Sequence, residues 1–435
     1  MRGGEHVRGE GVGMSAVPTR GDSLALWLKY LEGLHPRGID LGLDRVGAVY
    51  AALGSPRPAP VCITVGGTNG KGSTVALLSG MLQQAGYRVG RYTSPHLLRY
   101  NERLQIGDEE SADAAWVEAF ARIDQARGEI SLSYFEFGTL AAFLLLAEAG
   151  LDAAILEVGL GGRLDAVNLI DADVAILTSV GLDHQEYLGN TREQIGWDKA
   201  HIFRAGRPAV IAALDLPASV IEVAKQIGAA IHVLPEIEPV QGQHWRCPLP
   251  DGGSIELPAP MLQAPHQTRN ACAAVWAWIL LGQRLPFSAQ AAARGIAQTQ
   301  LTGRLQRLSA AVETWVDVAH NGEAAASLAA WLRGQPQKPT VAIFAALADK
   351  DLAAIVDPLA QAFAAWIVLD LRPRSPRAAD PLAQSRALRS LLPATVAVES
   401  ADTLAKARAR AETMASERGR ILIFGSFITV AAALA

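Results

Sequence analysis

The run from Val61 to Thr74, VCITVGGTNGKGST, constrains the fold more than any other part of the chain. An apolar, β-branched segment leads into a glycine-rich turn, and a lysine and two hydroxyl residues follow where a helical pattern begins. Glycines let backbone N–H groups converge on phosphate oxygens at the positive end of a helix. Lys71 can then reach the outer phosphates, and Ser73 or Thr74 can offer a hydroxyl to magnesium. The segment therefore predicts a strand, a loop and a helix that hold a triphosphate.

This segment departs from the common phosphate-binding loop in two places. Val65 stands where the pattern has its first glycine, and Gly72 separates the lysine from Ser73. An ordinary tight turn between a strand and a helix is the alternative interpretation. Apolar residues continue at helical spacing from Val75 to Leu82, which favours the phosphate-binding interpretation.

Length and charge limit the class of protein. A chain of 435 residues is too long for one ordinary core, which predicts two domains. No apolar stretch reaches the length of a membrane span, so we expect no membrane partner. The formal net charge is −4 and no run of lysine or arginine is present, which argues against a nucleic-acid partner. An anionic ligand would therefore need local cations, and Lys71, Arg163 and Arg304 are the candidates.

The cysteines and the N-terminus bear on the compartment. Cys62, Cys247 and Cys272 lie far apart without CxxC spacing, and the first residues contain no apolar secretory segment. We therefore expect a cytoplasmic protein. Residues 1–20 are glycine-rich, polar and aperiodic, which predicts a disordered extension without a function.

Apolar runs of strand length alternate with helical patterns along most of the chain, which is typical of α/β domains with parallel sheets. The predicted strands are 61–66, 89–93, 153–158, 174–179, 208–212, 313–318, 340–346, 365–370, 395–398 and 420–425. The predicted helices are 73–85, 112–127, 135–149, 191–204, 266–282, 287–297, 321–333, 350–360, 380–390 and 401–413. Proline, glycine and alternating polar residues between about 240 and 260 predict a small antiparallel excursion. We place a linker at 298–303, between a first domain at 21–297 and a second at 304–435.

Polar side chains stand at or just after the ends of three predicted strands. Ser94 follows the strand near residues 89–93, Glu157 lies at the end of an apolar run, and His184 follows the next strand. The carboxyl ends of parallel strands meet at one edge of a sheet. A hydroxyl, a carboxylate and an imidazole at the same edge as the glycine-rich loop predict a site for a metal and phosphate.

Each of these residues also has a structural interpretation. Ser94 can simply start a turn before proline, and His184 can be an ordinary turn residue. Glu157 can form an ion pair with Arg163 that only supports the fold. Lys199 lies on a helix with an apolar face and, by default, is a solvated lysine.

Several ordered motifs together resemble the folylpolyglutamate synthase and dihydrofolate synthase family, within the Mur ligase superfamily. The resemblance runs from about Ser23 to the C-terminus. The motifs are GTNGKGS (67–73), SPHL (94–97), NER (101–103), SYFEFGTL (133–140), ILEVGLGGRLDAVN (155–168), TSVGLDHQEYLG (178–189), GRLQ (303–306), VDVAHN (316–321), DKD (349–351) and FGSF (424–427).

The resemblance implies an N-terminal P-loop ATPase-like domain with a mainly parallel sheet and a C-terminal Rossmann-like domain, with ATP and folate bound between them. It assigns the nucleotide to Thr68, Asn69, Gly70, Lys71, Gly72, Ser73, Asn270, Arg304, Asp317 and His320. It assigns magnesium to Ser73, Ser94, Glu157, His184 and Lys199. The implied catalytic residues are Lys71, Glu157, His184 and Lys199. His320 can alternatively cap the helix that follows it.

The lysine that matches Lys199 is carbamoylated in relatives, which implies an anionic oxygen ligand instead of a cation. A free lysine has a pKa of about 10.4, so only a shielded, neutral amine would react readily with carbon dioxide. This chain has Asp198 and His201 where relatives commonly have glutamate and glycine. A monovalent cation is a further cofactor that the resemblance allows.

The family's pteroate surface corresponds to three segments of this chain. Its residues are Gly38, Ile39, Asp40, Leu41, Ser133, Tyr134, Phe135, Glu136, Leu164, Asp165 and Ala166. The aromatic pair at 134–135 suits a planar pterin with polar edges.

By resemblance, the protein is a monomeric, ATP-dependent ligase that joins L-glutamate to 7,8-dihydropteroate and to the glutamate tail of reduced folates through an acyl phosphate. A monofunctional dihydrofolate or folylpolyglutamate synthase is one alternative. Another Mur-type amino-acid ligase is a second, although the cell-wall ligases need a nucleotide-sugar domain for which this chain has no room. A nucleotide-operated binding module that lacks the ligase site is a third.

Overall fold

The structure is a computed structural model that describes residues 17–36, 39–238, 242–308 and 311–435. Residues 1–16 of the predicted extension, and the predicted folate contact Gly38, lie outside the described residues. The prediction of disorder is wrong for residues 17–20, because the Trp27 indole donates a hydrogen bond of 3.0 Å to the Thr19 carbonyl oxygen. These four residues therefore belong to the fold.

The described residues form helices and strands with the following bounds. The helices are α1 Leu24–Leu34, α2 Asp44–Ala52, α3 Lys71–Gln84, α4 Asp113–Arg127, α5 Tyr134–Glu148, α6 Gln185–Leu188, α7 Arg192–Ala200, α8 Ala218–Ile227, α9 Gln267–Leu280, α10 Ala289–Gln298, α11 Gly322–Arg333, α12 Leu352–Val356, α13 Pro381–Leu391, α14 Leu404–Ala415 and α15 Phe427–Leu434. The strands are β1 Val61–Gly66, β2 Val89–Tyr92, β3 Leu104–Ile106, β4 Glu109–Glu110, β5 Ala153–Glu157, β6 Val174–Leu177, β7 Pro208–Ile211, β8 Ala230–Val233, β9 His244–Pro248, β10 Ser254–Pro258, β11 Gln306–Leu308, β12 Glu313–Val316, β13 Thr340–Phe344, β14 Ala365–Leu369, β15 Ala397–Ala401 and β16 Arg420–Phe424.

The first sheet has eight strands in the order β4-β3-β2-β5-β1-β6-β7-β8. Strands β2, β5, β1, β6, β7 and β8 run parallel to one another. Strands β3 and β4 extend the sheet beyond β2 and pair antiparallel. Successive side chains of a strand point to opposite faces, so Cys62 of β1 packs into one core and Ile63 into the other. Helices α3, α9 and α10 pack together over one face. Both faces are therefore covered, as expected for a parallel sheet.

The second domain is built on a six-stranded sheet in the order β11-β12-β16-β13-β14-β15. Its strands are parallel except for β11, which pairs antiparallel with β12. Leu422 and Phe424 of β16 pack on one face, and Ile421 and Ile423 pack on the other. Between the two large sheets, β9 and β10 form the antiparallel hairpin that the sequence predicts.

The predicted α/β class is thus confirmed. The boundary at 298–303 stays a prediction. The eight-stranded sheet and the hairpin end before it, and the six-stranded sheet begins after it at β11. In the described part of the chain, no helix combines the length and apolar character that crossing a membrane requires.

Strand order brings four loops to one edge of the first sheet. Parallel β2, β5, β1 and β6 are neighbours, with Val65 of β1 opposite Glu157 of β5 and Gly66 opposite Leu177 of β6. Ser94, the glycine-rich loop, Glu157 and His184 therefore lie at or beyond adjacent strand ends.

Candidate active site

A cavity of about 980 Å³ lies at this edge and is lined by residues of both domains. The predicted nucleotide residues that line it are Thr68, Asn69, Gly70, Lys71, Gly72, Ser73, Asn270, Arg304, Asp317 and His320. The predicted magnesium ligands that line it are Ser73, Ser94, Glu157, His184 and Lys199. Folding thus collects around one cavity residues that lie far apart in the sequence.

The glycine-rich loop is shaped by two residues with positive φ. Gly67 has a φ of 142° and Gly70 a φ of 84°, and Gly70 immediately precedes α3. A Cβ on Gly67 would overlap Thr178 Oγ1, and one on Gly70 would lie 2.8 Å from Asn270 Oδ1. Lys71 Nζ donates a hydrogen bond of 3.0 Å to the Gly67 carbonyl oxygen, so the lysine folds across the turn. The loop presents a cation and a helix N-terminus to the cavity, which suits an anion.

Glu157 is buried at the end of β5, with 5% of its surface exposed. Burial raises the pKa of Glu157 above its ordinary value, against the attraction of Lys71 and Arg304, which lowers it. The backbone N–H of Ser94 donates to Glu157 Oε2 at 3.4 Å, so the loop after β2 touches this carboxylate. A buried carboxylate in this setting suits a bound cation.

His184 and Lys199 lie on the other side of the loop. Burial lowers the pKa of His184 to about 4, so its imidazole is neutral at pH 7 and can donate a lone pair to a metal. Burial and, next, repulsion from Lys71 lower the pKa of Lys199 to about 7. Lys199 Nζ donates to the Gly67 carbonyl oxygen at 3.3 Å.

Two structural interpretations from the sequence are wrong. Lys199 is not solvated, because only 4% of its surface is exposed. Arg163 does not support Glu157: its guanidinium lies 3.7 Å from Asp198 and packs over the Trp197 ring at 5.0 Å.

The donor set is unlike an all-protein metal cage. Within the described ranges, no three His, Cys, Asp or Glu residues form a group that could hold a metal ion. Magnesium, however, usually takes one or two carboxylates and completes its shell with water and substrate phosphates. Glu157, the Ser73 and Ser94 hydroxyls and the phosphate-binding loop fit that pattern.

Asp183 joins the two domains beside the cavity. Its carboxylate lies 2.6 Å from Lys350 Nζ, accepts from Asn321 Nδ2 at 3.1 Å and lies 3.5 Å from His320 Nε2. Burial alone would raise the pKa of Asp183, but the hydrogen bond with His320 and the charge of Lys350 hold it well below its ordinary range. Asn321, not His320, caps α11, so the capping interpretation of His320 is wrong.

Arg304 is enclosed in the wall that the second domain contributes. Asp317 shapes this wall by accepting backbone hydrogen bonds of 2.8 Å from Leu305 and Ala319. Burial lowers the pKa of Arg304, and the attraction of Asp317 opposes that effect. The second domain therefore places a positive charge opposite the glycine-rich loop.

Most of the predicted pteroate surface lines the same cavity. These residues are Ile39, Asp40, Leu41, Ser133, Phe135, Glu136, Leu164, Asp165 and Ala166. Ser133 and Glu136 cap the N-terminus of α5 reciprocally, at 2.7 and 3.3 Å, so their polar groups fix the start of that helix. Burial raises the pKa of Asp165 to about 6.

Tyr134 is the exception on this side. It does not line the cavity. Its ring packs edge-on against Tyr100, with centroids 5.8 Å apart, and lies 5.6 Å from the Arg103 guanidinium carbon. The predicted contact of Tyr134 with the pterin is therefore corrected to a supporting position behind the wall.

Sequence reasoning gave no role to four cavity residues. Asp183 and Lys350 form the contact between domains, and Arg103 Nε donates to His96 Nδ1 at 2.9 Å. Burial and the charge of Arg103 lower the pKa of His96 to about 4, so this nitrogen is free to accept. Their only sequence signal was their place within the motifs SPHL, NER, TSVGLDHQEYLG and DKD.

Comparison with known proteins agrees with this geometry. Residues 65–277 match the model of the Mur ligase middle domain, and residues 303–427 match that of the Mur ligase glutamate ligase domain. The chain is 41% identical over 425 residues to the dihydrofolate synthase/folylpolyglutamate synthase of Escherichia coli (strain K12), covering 95% of this chain and 96% of that protein.

Solved structures show the same similarity. E. coli FolC in complex with DHPP and ADP superimposes with a TM-score of 0.89 at 40% identity, covering 96% of this chain and 98% of the other. A bifunctional folylpolyglutamate synthase/dihydrofolate synthase with Mn, AMPPNP and L-glutamate bound gives a TM-score of 0.87 with the same identity and coverage.

Proposed function

The chain belongs to the dihydrofolate synthase/folylpolyglutamate synthase family of Mur ligases, and from that premise we propose that it joins L-glutamate to 7,8-dihydropteroate and to the glutamate tail of reduced folates, using ATP. Relatives carry both activities in their names, and similar structures hold DHPP with ADP or L-glutamate with AMPPNP and manganese. One observation carries the proposal: a single cavity is lined by the glycine-rich loop, by Glu157 and by the predicted pteroate surface.

ATP is the substrate assigned to the loop and the second domain. The N-terminus of α3 and Lys71 would hold the phosphates, and Arg304 faces them from the other domain. Asn270 lies beside Gly70 and would approach the base. The tight fit around Gly67 and Gly70 supports this placement, because any side chain there would collide with Thr178 or Asn270.

The reaction needs two anions to meet. Two unit charges of like sign about 4 Å apart repel by roughly 4 kcal/mol at an effective dielectric near 20. An oxygen of the acceptor carboxylate attacks the γ-phosphorus, ADP leaves, and an acyl phosphate forms. The amine of L-glutamate then attacks the carbonyl carbon, loses a proton, and displaces phosphate. Lys71 and Arg304 reduce the repulsion, and positioning supplies much of the rate.

Magnesium would be held by Glu157, Ser73, Ser94, His184 and Lys199. A bound divalent ion neutralises phosphate charge and orients the phosphoryl group for in-line attack. The uncharged imidazole of His184 and the buried carboxylate of Glu157 suit such an ion.

Lys199 carries a carbamate in the proposed active form. Its pKa of about 7 leaves a large fraction of neutral amine at physiological pH, and that amine can add to carbon dioxide with loss of one proton. Mass spectrometry of the intact protein under bicarbonate should show the added carbon dioxide, and the Lys199→Arg variant should lack it. An unmodified wild-type protein would contradict this part of the proposal. The monovalent cation stays a prediction.

The decisive experiment measures incorporation of labelled L-glutamate into dihydropteroate and, separately, into tetrahydrofolate. Purified protein, ATP and magnesium should give products with both acceptors, and none without ATP. Product with one acceptor only would favour a monofunctional enzyme. ATP binding without incorporation of glutamate would favour the binding module and overturn the proposal.

The proposed working form is a cytoplasmic monomer that acts without nucleic acid or membrane. One chain supplies both walls of the cavity. Cys62, Cys247 and Cys272 are free thiols, which fits a reducing compartment. Light scattering during size exclusion, with and without ATP, tests the oligomeric state.

A further inference from the structure

Arg103 is a buried cation in the cavity wall that has no carboxylate partner among the residues the structure describes. Its surface is 8% exposed, and it lines the cavity. Among the described residues, no Asp or Glu lies within ion-pair distance of it; its neighbours are tyrosine rings and His96. An uncompensated charge is costly to bury, so this position suits an anion that comes from outside the chain.

The buried cations of the protein differ in whether a carboxylate compensates their charge. Arg420 lies 2.7 Å from Glu313, and Lys350 lies 2.6 Å from Asp183. Lys199 is buried in the same cavity and, like Arg103, has no carboxylate at ion-pair distance among the described residues. The buried cations without a carboxylate partner therefore lie at the cavity, whereas Arg420, which does not line it, is paired.

The guanidinium of Arg103 is held in place from three sides. Its Nε donates to His96 Nδ1 at 2.9 Å, and its central carbon lies 5.1 Å from the Tyr100 ring centroid and 5.6 Å from that of Tyr134. The backbone carbonyl oxygen of Arg103 accepts from the backbone N–H of Thr93 at 2.8 Å, and Thr93 directly precedes Ser94. A guanidinium restrained in this way loses little entropy when it binds a planar anion.

Arg103 also lies between the two functional parts of the cavity. Phe135 and Glu136 of the predicted pteroate surface line the wall with it. On the other side its charge is close enough to Glu157 to affect the pKa of that carboxylate. If the pterin lies on the pteroate surface and ATP lies on the glycine-rich loop, the reacting carboxylate of the acceptor must lie between them, in the part of the cavity that Arg103 lines.

We infer that Arg103 binds the acceptor carboxylate that is to be phosphorylated, with His96 as the positioning residue that orients the guanidinium. The inference rests on the proposed function. Arginine matches a carboxylate with two parallel hydrogen bonds, which fixes the plane of the group as well as its place. Arg103 would thereby turn one carboxylate oxygen toward the γ-phosphate.

The test compares two ligands on three proteins. Calorimetry measures the affinity of pteroate and of the matching pteroic carboxamide, which lacks the negative charge, for the wild type, Arg103→Met and Arg91→Met. Arg91 is the control because it is a partly buried arginine of β2, hydrogen-bonded to Gln105, that does not line the cavity. Affinity for ADP with magnesium is measured on the same samples.

The wild type and Arg91→Met should prefer the carboxylate by roughly 10- to 100-fold, the range expected for hydrogen bonds to a charged group. Arg103→Met should bind both ligands alike, within about twofold, and should bind ADP normally. If Arg103→Met does not fold, Arg103→Lys takes its place in the test. Lysine keeps the charge but lacks the planar guanidinium, so this variant should show a reduced but measurable preference for the carboxylate over the amide.

Three outcomes would overturn the inference and leave the proposed function standing. Arg103→Met could retain the full preference, which shows that the residue only supports the tyrosines. It could lose affinity for ADP instead, which assigns the cation to the nucleotide. If the wild type binds pteroate tightly but shows no preference over the amide, the carboxylate is recognised elsewhere. Failure of the wild type to bind pteroate at all would reject the proposed function itself, together with this inference.

Discussion

The parallel strands of the first sheet begin at one edge, here called the amino edge, and end at the opposite one, the carboxyl edge. A carboxylate is buried at each, and the protein compensates its charge at the amino edge but not at the carboxyl edge. At the amino edge, Asp173 precedes β6 and lies 2.5 Å from Arg284, 2.9 Å from Arg57 and 3.6 Å from Arg207. At the carboxyl edge, no lysine or arginine among the described residues comes within ion-pair distance of Glu157.

The pKa values of the two groups express this difference. Burial acts to raise the pKa of Asp173, but hydrogen bonds from the Cys62 N–H and from Arg284 outweigh it and hold the pKa below its ordinary value. At Glu157 burial prevails, and the pKa is raised. A charge compensated within the chain contributes to stability, whereas a charge left uncompensated is available to a ligand. Asp173 at the amino edge therefore contributes to stability, whereas Glu157 at the carboxyl edge is available to bind a ligand.

The largest expected effect is on turnover at the carboxyl edge. Glu157→Gln should lower kcat by about 10³-fold, or about 4 kcal/mol, because a neutral amide cannot balance a divalent ion. The free energy of unfolding should not fall below that of the wild type, since the amide can still accept from Ser94 and removes a carboxylate whose burial is costly. Steady-state kinetics and urea unfolding measure the two quantities. A variant that fails to fold would make Glu157 a structural residue and remove the contrast.

Ligand-induced stabilisation gives the next largest effect. Magnesium with ADP at about 100 times its Kd should stabilise the wild type by about 2.7 kcal/mol. For Glu157→Gln the part of this gain that requires magnesium should disappear, whereas Asp173→Asn should keep it in full. Thermal unfolding with and without EDTA measures the gain. An equal response of the two variants would show that the edges do not differ in metal binding.

Asp173→Asn should affect stability and leave turnover unchanged. Removing this carboxylate leaves three arginines close together, but these are partly exposed and therefore screened, so we expect a loss of about 2 kcal/mol in the free energy of unfolding. Both kcat and KM should stay within about twofold, because the amino edge is remote from the cavity. A large fall in kcat with normal stability would contradict the separation of roles.

The smallest effect is the pH dependence of stability, which should have opposite sign at the two edges. The pKa of Asp173 lies below its ordinary value of 3.8, so its contribution is complete above that pH and is lost as the pH falls. The pKa of Glu157 lies above its ordinary value of 4.5, so its ionisation destabilises the fold as the pH rises from that value.

These signs can be read from unfolding in metal-free buffer. The stability difference between the wild type and Asp173→Asn should shrink below about pH 4. The advantage of Glu157→Gln over the wild type should grow above about pH 4.5. Parallel pH profiles for the two pairs would remove the contrast between the edges.

The sequence predicted long, strongly patterned elements well. Strand β1 has its predicted bounds, and α3, α4 and α5 differ by one or two residues. Short strands such as β3 and β4 were not predicted, because two or three residues carry little periodicity and their pairing depends on β2. Lys199 shows the same limit at the site, since its helical pattern does not reveal that the helix packs its lysine against the Gly67 carbonyl.

The sequence by itself determined the α/β class, the family and the segments that carry the chemistry, because glycine turns, apolar runs and motif order are local properties. Only the tertiary structure decided which charges are compensated. Asp183 meets Lys350 across 167 positions of the chain, while Arg103 and Glu157 meet no opposite charge at ion-pair distance among the described residues. Burial and distance between remote residues set the cost of each charge, and neither quantity is written in a local pattern.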